Sequence, residues 1–234
     1  MKKLILILGI VANIITASAQ DSLFVNKKDG SIIPYSVSDV DSISFTRNTN
    51  GYVIVNGVKW AIRNVASPGS FTSNPENAGM FYQWNSNNAW STTGNVTGWN
   101  SSWTGGYTTA SVADAWISTN DPSPAGFRVP TKEEISTLLD PAKVTTTWIT
   151  TTSGVIGTKF TDISTGSSIF LPASGYRNNT GTLTSANSYG GYWSNSGKSY
   201  TLSSANQLSF NLNGASLTSS GNRANGFSIR PVAK

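Results

Sequence analysis

Apolar positions along this chain come mainly as short runs bounded by Gly, Asn, Ser and Asp, the pattern of short strands joined by turns. Leu23-Phe24-Val25 and residues 32–37 flank Lys28-Asp29-Gly30, a hairpin signal because Gly accepts positive φ at little cost. Residues 41–45 alternate as a third short strand. Tyr52-Val53-Ile54-Val55 and residues 58–62 flank Asn56-Gly57 in the same way. Phe81, Tyr82 and Trp84 sit in an alternating run, and 168–171, 189–193, 207–212 and 227–232 are further strand-like runs. Helical signals are few. Pro130, Thr131 and then 132–139 predict a helix, with Thr131 at the N-cap, Glu134 completing a capping box and Asp140-Pro141 ending it. A weaker helix is expected over 111–117. The sum is an α+β chain with much irregular backbone.

The first apolar run has a different meaning. Lys2 and Lys3 precede an apolar stretch over 4–15, broken by Gly9 and Asn13, and Ala17-Ser18-Ala19 follows. This is the layout of a signal peptide cleaved after Ala19, leaving Gln20 at the mature N-terminus. The run is short of the roughly 20 residues a membrane span needs. No cysteine stands at the cleavage point for a lipid, and no later run approaches spanning length. The expectation is an exported protein, periplasmic, cell-surface or extracellular, with no transmembrane segment in the mature chain. Its expected organisation is a signal peptide (1–19), a small β unit (20–46), a polar linker (47–50) and one main domain (51–234).

Composition narrows the chemistry. The chain holds 23 Asn, 35 Ser and 27 Thr, 85 of 234 residues, while charged residues are 12% and Cys and His are absent. Cysteine nucleophiles, disulfides, His-based acid–base catalysis and Cys/His zinc sites are therefore excluded. Eight Trp and a small net charge argue against disorder. Without Lys2 and Lys3, 14 basic and 11 acidic residues leave +3, too weak and dispersed to predict nucleic acid as a partner. No Asp or Glu follows Asp162, and no charged side chain lies between Asn77 and Ala113.

Few carboxylates are placed for catalysis. Glu133 and Glu134 fall in the first turn of the predicted helix, where they complement its dipole. Asp114 and Asp121 are the pair a glycosidase would need, but Asp121 precedes a proline and reads as turn chemistry. Serine has no His beside it in this chain and no Ser-x-x-Lys spacing to activate it. Arg128 and Arg177 lie among Gly, Pro and aromatics, where a buried guanidinium bonded to backbone carbonyls would fix irregular loops; clamping a ligand is the alternative. The segment 81–107 holds Phe81, Tyr82, Trp84, Trp90, Trp99, Trp103 and Tyr107 among uncharged polar residues. Aromatic faces and amides of this kind suit neutral polar ligands such as sugars, whereas the bland alternative is that the rings fill a core. Phe81, Tyr82 and Trp84 read as core, and Trp90, Trp99, Trp103 and Tyr107 as candidate ligand-binding residues.

The run Asp121-Pro122-Ser123-Pro124-Ala125-Gly126-Phe127-Arg128-Val129-Pro130-Thr131 resembles the G-[WYF]-R-[LV]-P-T signature of the Fibrobacter succinogenes major paralogous domain family. The resemblance continues through Trp148, Gly154, Gly157, Phe160-Thr161, Thr165-Gly166 and Phe170-Leu171-Pro172-Ala173-Ser174-Gly175-Tyr176-Arg177. It resumes at Gly190-Gly191-Tyr192-Trp193-Ser194 and ends with Gly226-Phe227-Ser228-Ile229-Arg230-Pro231-Val232, covering about 51–234. It implies an irregular C-type lectin-like or formylglycine-generating-enzyme-like fold, with Arg128, Pro130, Thr131, Glu134, Arg177, Trp193 and Arg230 as structural motif residues. It does not carry over those relatives' activities. Ser123 stands where family members commonly have cysteine, so no disulfide or redox role transfers. Trp193-Ser194-Asn195 is the nearest look-alike of the lectin Trp-Asn-Asp segment, and with no acid after Asp162 a lectin-type calcium site is not expected. Residues 23–45 also resemble the short segment that follows signal peptides in many exported Bacteroidetes proteins. Asp21-Ser22-Leu23 and Asp41-Ser42-Ile43 resemble the three-residue acceptor of Bacteroidetes O-glycosylation.

These readings converge on an exported, non-enzymatic module for adhesion or for binding a glycan or surface protein, with no cofactor and no metal. A structural subunit of a surface complex is the alternative, and a carboxylate-dependent glycosidase the third. Export can be checked directly: N-terminal sequencing of the secreted protein is expected to begin at Gln20. A mature mass equal to that of the bare chain would dismiss glycosylation at Ser22 and Ser42.

Overall fold

A computed structural model describes residues 22–26, 29–39, 51–109, 115–198 and 201–234. The expected signal peptide (1–19), Asp21, the expected 41–45 strand with Ser42, the expected 47–50 linker and Asp114 lie outside these residues. The chain divides into two compact units, Met1–Arg47 and Asn48–Lys234.

In the first unit β1 (Ser22–Asn26) and β2 (Ile32–Ser36) form an antiparallel hairpin, with Leu23 opposite Tyr35 and Val25 opposite Ile33. Gly30 takes φ 83° in the turn, and the Asp29 carboxylate accepts the Ser31 amide at 2.9 Å. The Ser31 hydroxyl and amide hold the Asp29 carboxyl below its ordinary range.

The second unit opens with β3 (Tyr52–Val55) and β4 (Val58–Ala61), joined by Asn56-Gly57 at φ 44° and 79°. Both turn residues need positive φ, which Asn and Gly tolerate best. After a long irregular stretch come β5 (Tyr82–Gln83), a second one, and β6 (Phe127–Arg128). Helix α1 (Lys132–Thr137) follows, capped as its sequence predicts: Thr131 Oγ1 accepts the Glu134 amide at 3.1 Å, and the Glu134 carboxylate accepts the Thr131 amide at 2.8 Å. The helix stops at Thr137, two residues before the expected end, with Leu138 at its C-cap.

Three hairpin-linked strands come next, β7 (Val144–Thr150), β8 (Ile156–Asp162) and β9 (Ser168–Pro172). They are followed by β10 (Tyr176–Arg177) and β11 (Leu183–Thr184), and then by β12 (Tyr189–Gly197), β13 (Ser204–Asn211) and β14 (Gly214–Asn222). The chain closes with β15 (Gly226–Phe227) and β16 (Val232–Ala233). Among its described residues the unit holds four sheets, β3-β4-β16-β6, β11-β10-β15-β5, β7-β8-β9 and β12-β13-β14. The fold is mostly β, with one short α-helix among the described residues, compatible with an α+β or mostly-β class.

Two expectations need correction. The described end of the second predicted helix, 115–117, is extended: Ala115 bridges to Ser196, and the Trp116 amide donates to the Asn195 carbonyl at 2.7 Å. That edge pairing satisfies backbone groups that a helix would have satisfied internally. The run 227–232 is split into β15 and β16, because Ser228 pairs instead with β12, donating to Gly191 at 3.1 Å and accepting from Trp193 at 3.0 Å. The chain then crosses to a different sheet, where Val232 lies opposite both Trp60 and Arg128.

Two apolar clusters form the core. One packs Trp60, Ile135, Leu138, Phe160 and Phe210 together, and the other gathers Tyr82, Trp84, Trp193, Phe227 and Ile229. Asp162, at the end of β8, joins the β8–β9 turn to the β3–β4 turn. It accepts the Ser164 hydroxyl at 2.6 Å and amide at 2.9 Å, the Thr165 amide at 3.0 Å and the Asn56 amide at 2.8 Å, while Asn56 Nδ2 donates to the Thr137 carbonyl at 2.9 Å. The Ser164 hydroxyl first, then the Asn56 amide, hold this carboxyl well below the ordinary range. A folded-state pKa below that of the unfolded chain, about 3.9 for Asp, contributes stability above that pH and loses it as pH falls. Asp162→Asn is therefore expected to melt at a lower temperature than the parent at pH 7, with the gap closing as pH drops below about 4. A gap that stays constant from pH 7 to pH 3 in thermal melts would refute this role.

Candidate functional site

Phe81, Tyr82 and Trp84 are fully buried. Trp90, Trp99, Trp103 and Tyr107 are each only half-buried, and the structure makes two groups of them. Phe81 and Trp90 exchange backbone bonds at 2.9 and 2.8 Å, which brings the Trp90 ring to Trp99, centroids 5.0 Å apart at 55°. Trp99 lies flat against glycines: a Cβ at Gly181 would come within 2.8 Å of its ring and one at Gly226 within 2.7 Å, so these positions admit no side chain. Its indole N–H donates to the Asn179 carbonyl at 3.1 Å. Trp103 and Tyr107 belong instead with Trp84. The Trp103 indole donates to the Trp84 carbonyl at 2.7 Å, the Tyr107 ring is 6.1 Å from Trp84, and the Tyr107 hydroxyl donates to the Ala115 carbonyl. Trp90 Nε1 is buried without a partner. These rings thus have fixed positions before any ligand arrives.

Guanidinium groups hold the loops that carry them. Arg177 is 1% exposed, and it donates to the carbonyls of Ser91 at 2.8 Å, Thr93 at 3.0 Å, Gly94 at 2.8 Å and Gly181 at 2.7 Å. Its partners are therefore the loop just after Trp90 and the turn under Trp99. Desolvation pushes its pKa down, yet the group stays charged at neutral pH. Arg223, which the sequence motifs did not single out, is also fully buried. It donates to Ser204 at 2.8 Å and Thr104 at 3.2 Å and lies 4.2 Å from the Trp84 ring centre, a cation–π contact.

The remaining motif residues make a separate frame. Arg128 forms a bidentate pair with Glu134 at 2.8 and 2.6 Å, and the bond from Glu134 raises the Arg128 pKa. Burial pushes the Glu134 carboxyl up, but Arg128 and the Thr131 amide outweigh it and hold it below its ordinary range. The Pro130 carbonyl accepts the Asn195 amide at 2.7 Å, which docks α1 onto β12. Trp193 is fully buried, donates to the Tyr82 carbonyl at 2.7 Å and meets Phe227 edge-on at 4.5 Å. Trp193-Ser194-Asn195 is thus a packing junction. Asp121 caps its own loop, accepting the Ser123 amide at 2.8 Å and the Val129 amide at 3.0 Å. Among the described residues no cluster of three or more Asp, Glu, His or Cys is placed to hold a metal ion.

A separate hollow lies elsewhere, a cleft of about 660 Å³ between the 66–80 loop and the facing ends of β8 and β9. Phe71, Met80 and Ile156 give it apolar surface, and Glu76, Asn77 and Ser174 give it polar groups. A network of buried side chains fixes both walls. Arg230, 1% exposed, donates to Asn64 Oδ1 at 2.8 Å, Phe170 at 3.0 Å, Ala61 at 3.2 Å and Pro75 at 3.4 Å. Asn64 Nδ2 donates to Ala78 at 2.9 Å, and the Tyr192 hydroxyl donates to Pro172 at 2.9 Å. Burial pushes the Tyr192 phenol up to about 12 and the Arg230 guanidinium down to about 10, so one stays neutral and the other charged at physiological pH. No sequence pattern pointed to this cleft, whose lining comes from separate loops; the single hint was Glu76, the last charge before the neutral run.

Comparison of the chain with protein-family models, with curated proteins and with solved structures finds no match in any of the three.

The carbonyl-bonded arginines can be tested by a charge-conserving change. A lysine at 177 keeps the charge but has one ammonium in place of a planar fork. Arg177→Lys is expected to lose about 2–3 kcal/mol of stability, roughly 4–12 °C in Tm for a chain of this size. It should also red-shift Trp emission, because the 91–94 loop beside Trp90 loses its anchor. Unchanged melting and emission would show that Arg177 does not hold these loops.

Proposed function

We propose that this chain is an exported, non-enzymatic module of the Fibrobacter succinogenes major paralogous kind with a C-type lectin-like fold, acting at the cell surface or in the medium by binding a neutral polar ligand. The observation that carries this reading is the charge-free stretch after Asn77, in which Trp90, Trp99, Trp103 and Tyr107 are half-buried on loops anchored by buried arginines. Rings fixed in advance lose little freedom when a sugar or a partner's surface packs on them. The Lys-rich start, apolar run and Ala-Ser-Ala site support export, and no helix among the described residues is long and apolar enough to cross a membrane. The absence of His and Cys from the sequence supports a binding rather than a catalytic role.

A second reading, a structural subunit of a surface assembly, is favoured by the inward bonds of Trp99 and Trp103, which use both indole N–H groups on the protein's own carbonyls. A glycan array and a pull-down from the surface fraction separate the two. Under the binding reading, Trp90→Ala, Trp99→Ala and Trp103→Ala combined abolish glycan or partner capture in a protein that circular dichroism shows still folded. Undiminished capture by the folded triple variant overturns the aromatic site, and a reproducible protein partner with no glycan signal selects the assembly role.

A further inference from the structure

The cleft beside Glu76 has the marks of a binding site distinct from the half-buried rings, with Thr92 of the loop after Trp90 among its lining. Its volume, about 660 Å³, falls within the roughly 300–1,000 Å³ that small-ligand sites occupy. A second hollow of about 450 Å³ shares Glu76, Asn77 and Val155 with it, so the two make one groove along the 74–80 loop. The walls are held from below. Arg230, Asn64 and Tyr192, all at least 98% buried, bond the carbonyls of Pro75, Ala78, Phe170 and Pro172, and these carbonyls belong to both sides of the opening. A buried network of that kind leaves a groove in place when it is empty.

Its lining is chemically selective. Glu76 is the only charged residue among those lining either hollow, and the rest of the polar lining is hydroxyl and amide. The Glu76 carboxylate takes a bond from the Ser153 hydroxyl, and among the described residues the ion pairs are Arg128–Glu134 and Lys132–Glu133, neither involving Glu76. Glu76 is the one carboxylate of the lining, able to accept hydroxyls or an ammonium and to repel a second carboxylate, while the Arg63 and Arg230 guanidinium groups stand behind the wall, against Phe71 and on the Thr72 and Pro75 carbonyls. Phe71, Met80 and Ile156 supply the apolar surface on which a pyranose ring face can rest.

We infer that this groove binds a saccharide unit that is neutral or carries an amine, with Glu76 accepting its hydroxyl or ammonium groups and anionic sugars excluded. The probes are glucose, glucosamine and glucuronic acid, titrated into the intact protein and followed by saturation-transfer NMR. Glucosamine is expected to bind most tightly, glucose more weakly, and glucuronic acid not at all. Glu76→Gln, a change on a loop whose anchors are backbone carbonyls, should weaken glucosamine about tenfold and remove its advantage over glucose. Ser73→Trp, placed on an exposed lining position, should block all three while leaving the melting temperature near that of the parent. Binding of glucuronic acid as tight as that of glucosamine, survival of binding in the folded Ser73→Trp protein, or no saturation transfer from any of the three sugars would each overturn the proposal. Loss of binding in the Trp90/Trp99/Trp103 triple variant with Glu76→Gln silent would also overturn it and assign the sugar to the aromatic loops.

Discussion

The irregular loops that carry the aromatic residues and wall the cleft depend above all on bonds from guanidinium groups to backbone carbonyls. The stretches between β4 and β5 and between β5 and β6 run for tens of residues with little strand pairing, and a buried carbonyl there still requires a donor. A guanidinium has five N–H donors in one plane, so a single buried arginine can serve several carbonyls at once. Arg177 serves four and Arg230 three, with Asn64 Oδ1 taking a further bond. Burying a charge is costly, and here the cost is offset by four bonds to dipoles at each group. The arrangement replaces the strand ladders that these loops lack.

The same anchors decide where binding chemistry can sit. Arg177 fixes the loop after Trp90 and the turn beneath Trp99, while Arg230 and Asn64 fix the 75–78 segment that walls the cleft. Both candidate surfaces are therefore loops made rigid by interior contacts, a common way for a scaffold to carry recognition. Their chemistry differs. The aromatic loops present rings whose polar atoms are largely used internally, whereas the cleft keeps hydroxyl, amide and carboxylate groups around its opening.

Local rules made part of this legible in sequence. The Asp29-Gly30 and Asn56-Gly57 turns and the Thr131–Glu134 capping box depend on neighbours a few residues apart, and each formed where its residues predicted. Strands made largely of hydroxyl residues were not legible. In β14 Ala215 and Leu217 pack toward the core while Ser216 and Thr218 meet Ser209 of β13 at 3.1 and 3.0 Å, and this short alternation ends in Ser219 and Ser220, too brief to mark a nine-residue strand. The cleft escaped for a different reason: Glu76, Ile156, Ser174 and Asn187 are brought together only by tertiary folding. Arg223 sits in a Gly-Asn-Arg-Ala-Asn run that looks like a surface turn, and its interior role shows only in the folded chain, in its burial, its bonds to the Ser204 and Thr104 carbonyls and its contact with Trp84.

Carbonyl oxygens do not titrate, and that sets how the molecule meets an acidic environment. The bonds of Arg177 and Arg230 join a group charged throughout the acid range to dipoles that protons do not alter, and buried bonds of this type are little screened by salt. The Asp162 junction, by contrast, is acid-sensitive. Acidification therefore loosens the junctions that rest on carboxylates, the β3–β4 and β8–β9 turns at Asp162 and the Arg128–Glu134 pair, before the carbonyl-bonded arginines that hold the aromatic loops. The aromatic surface would then outlast the loosening of the turns around Asp162.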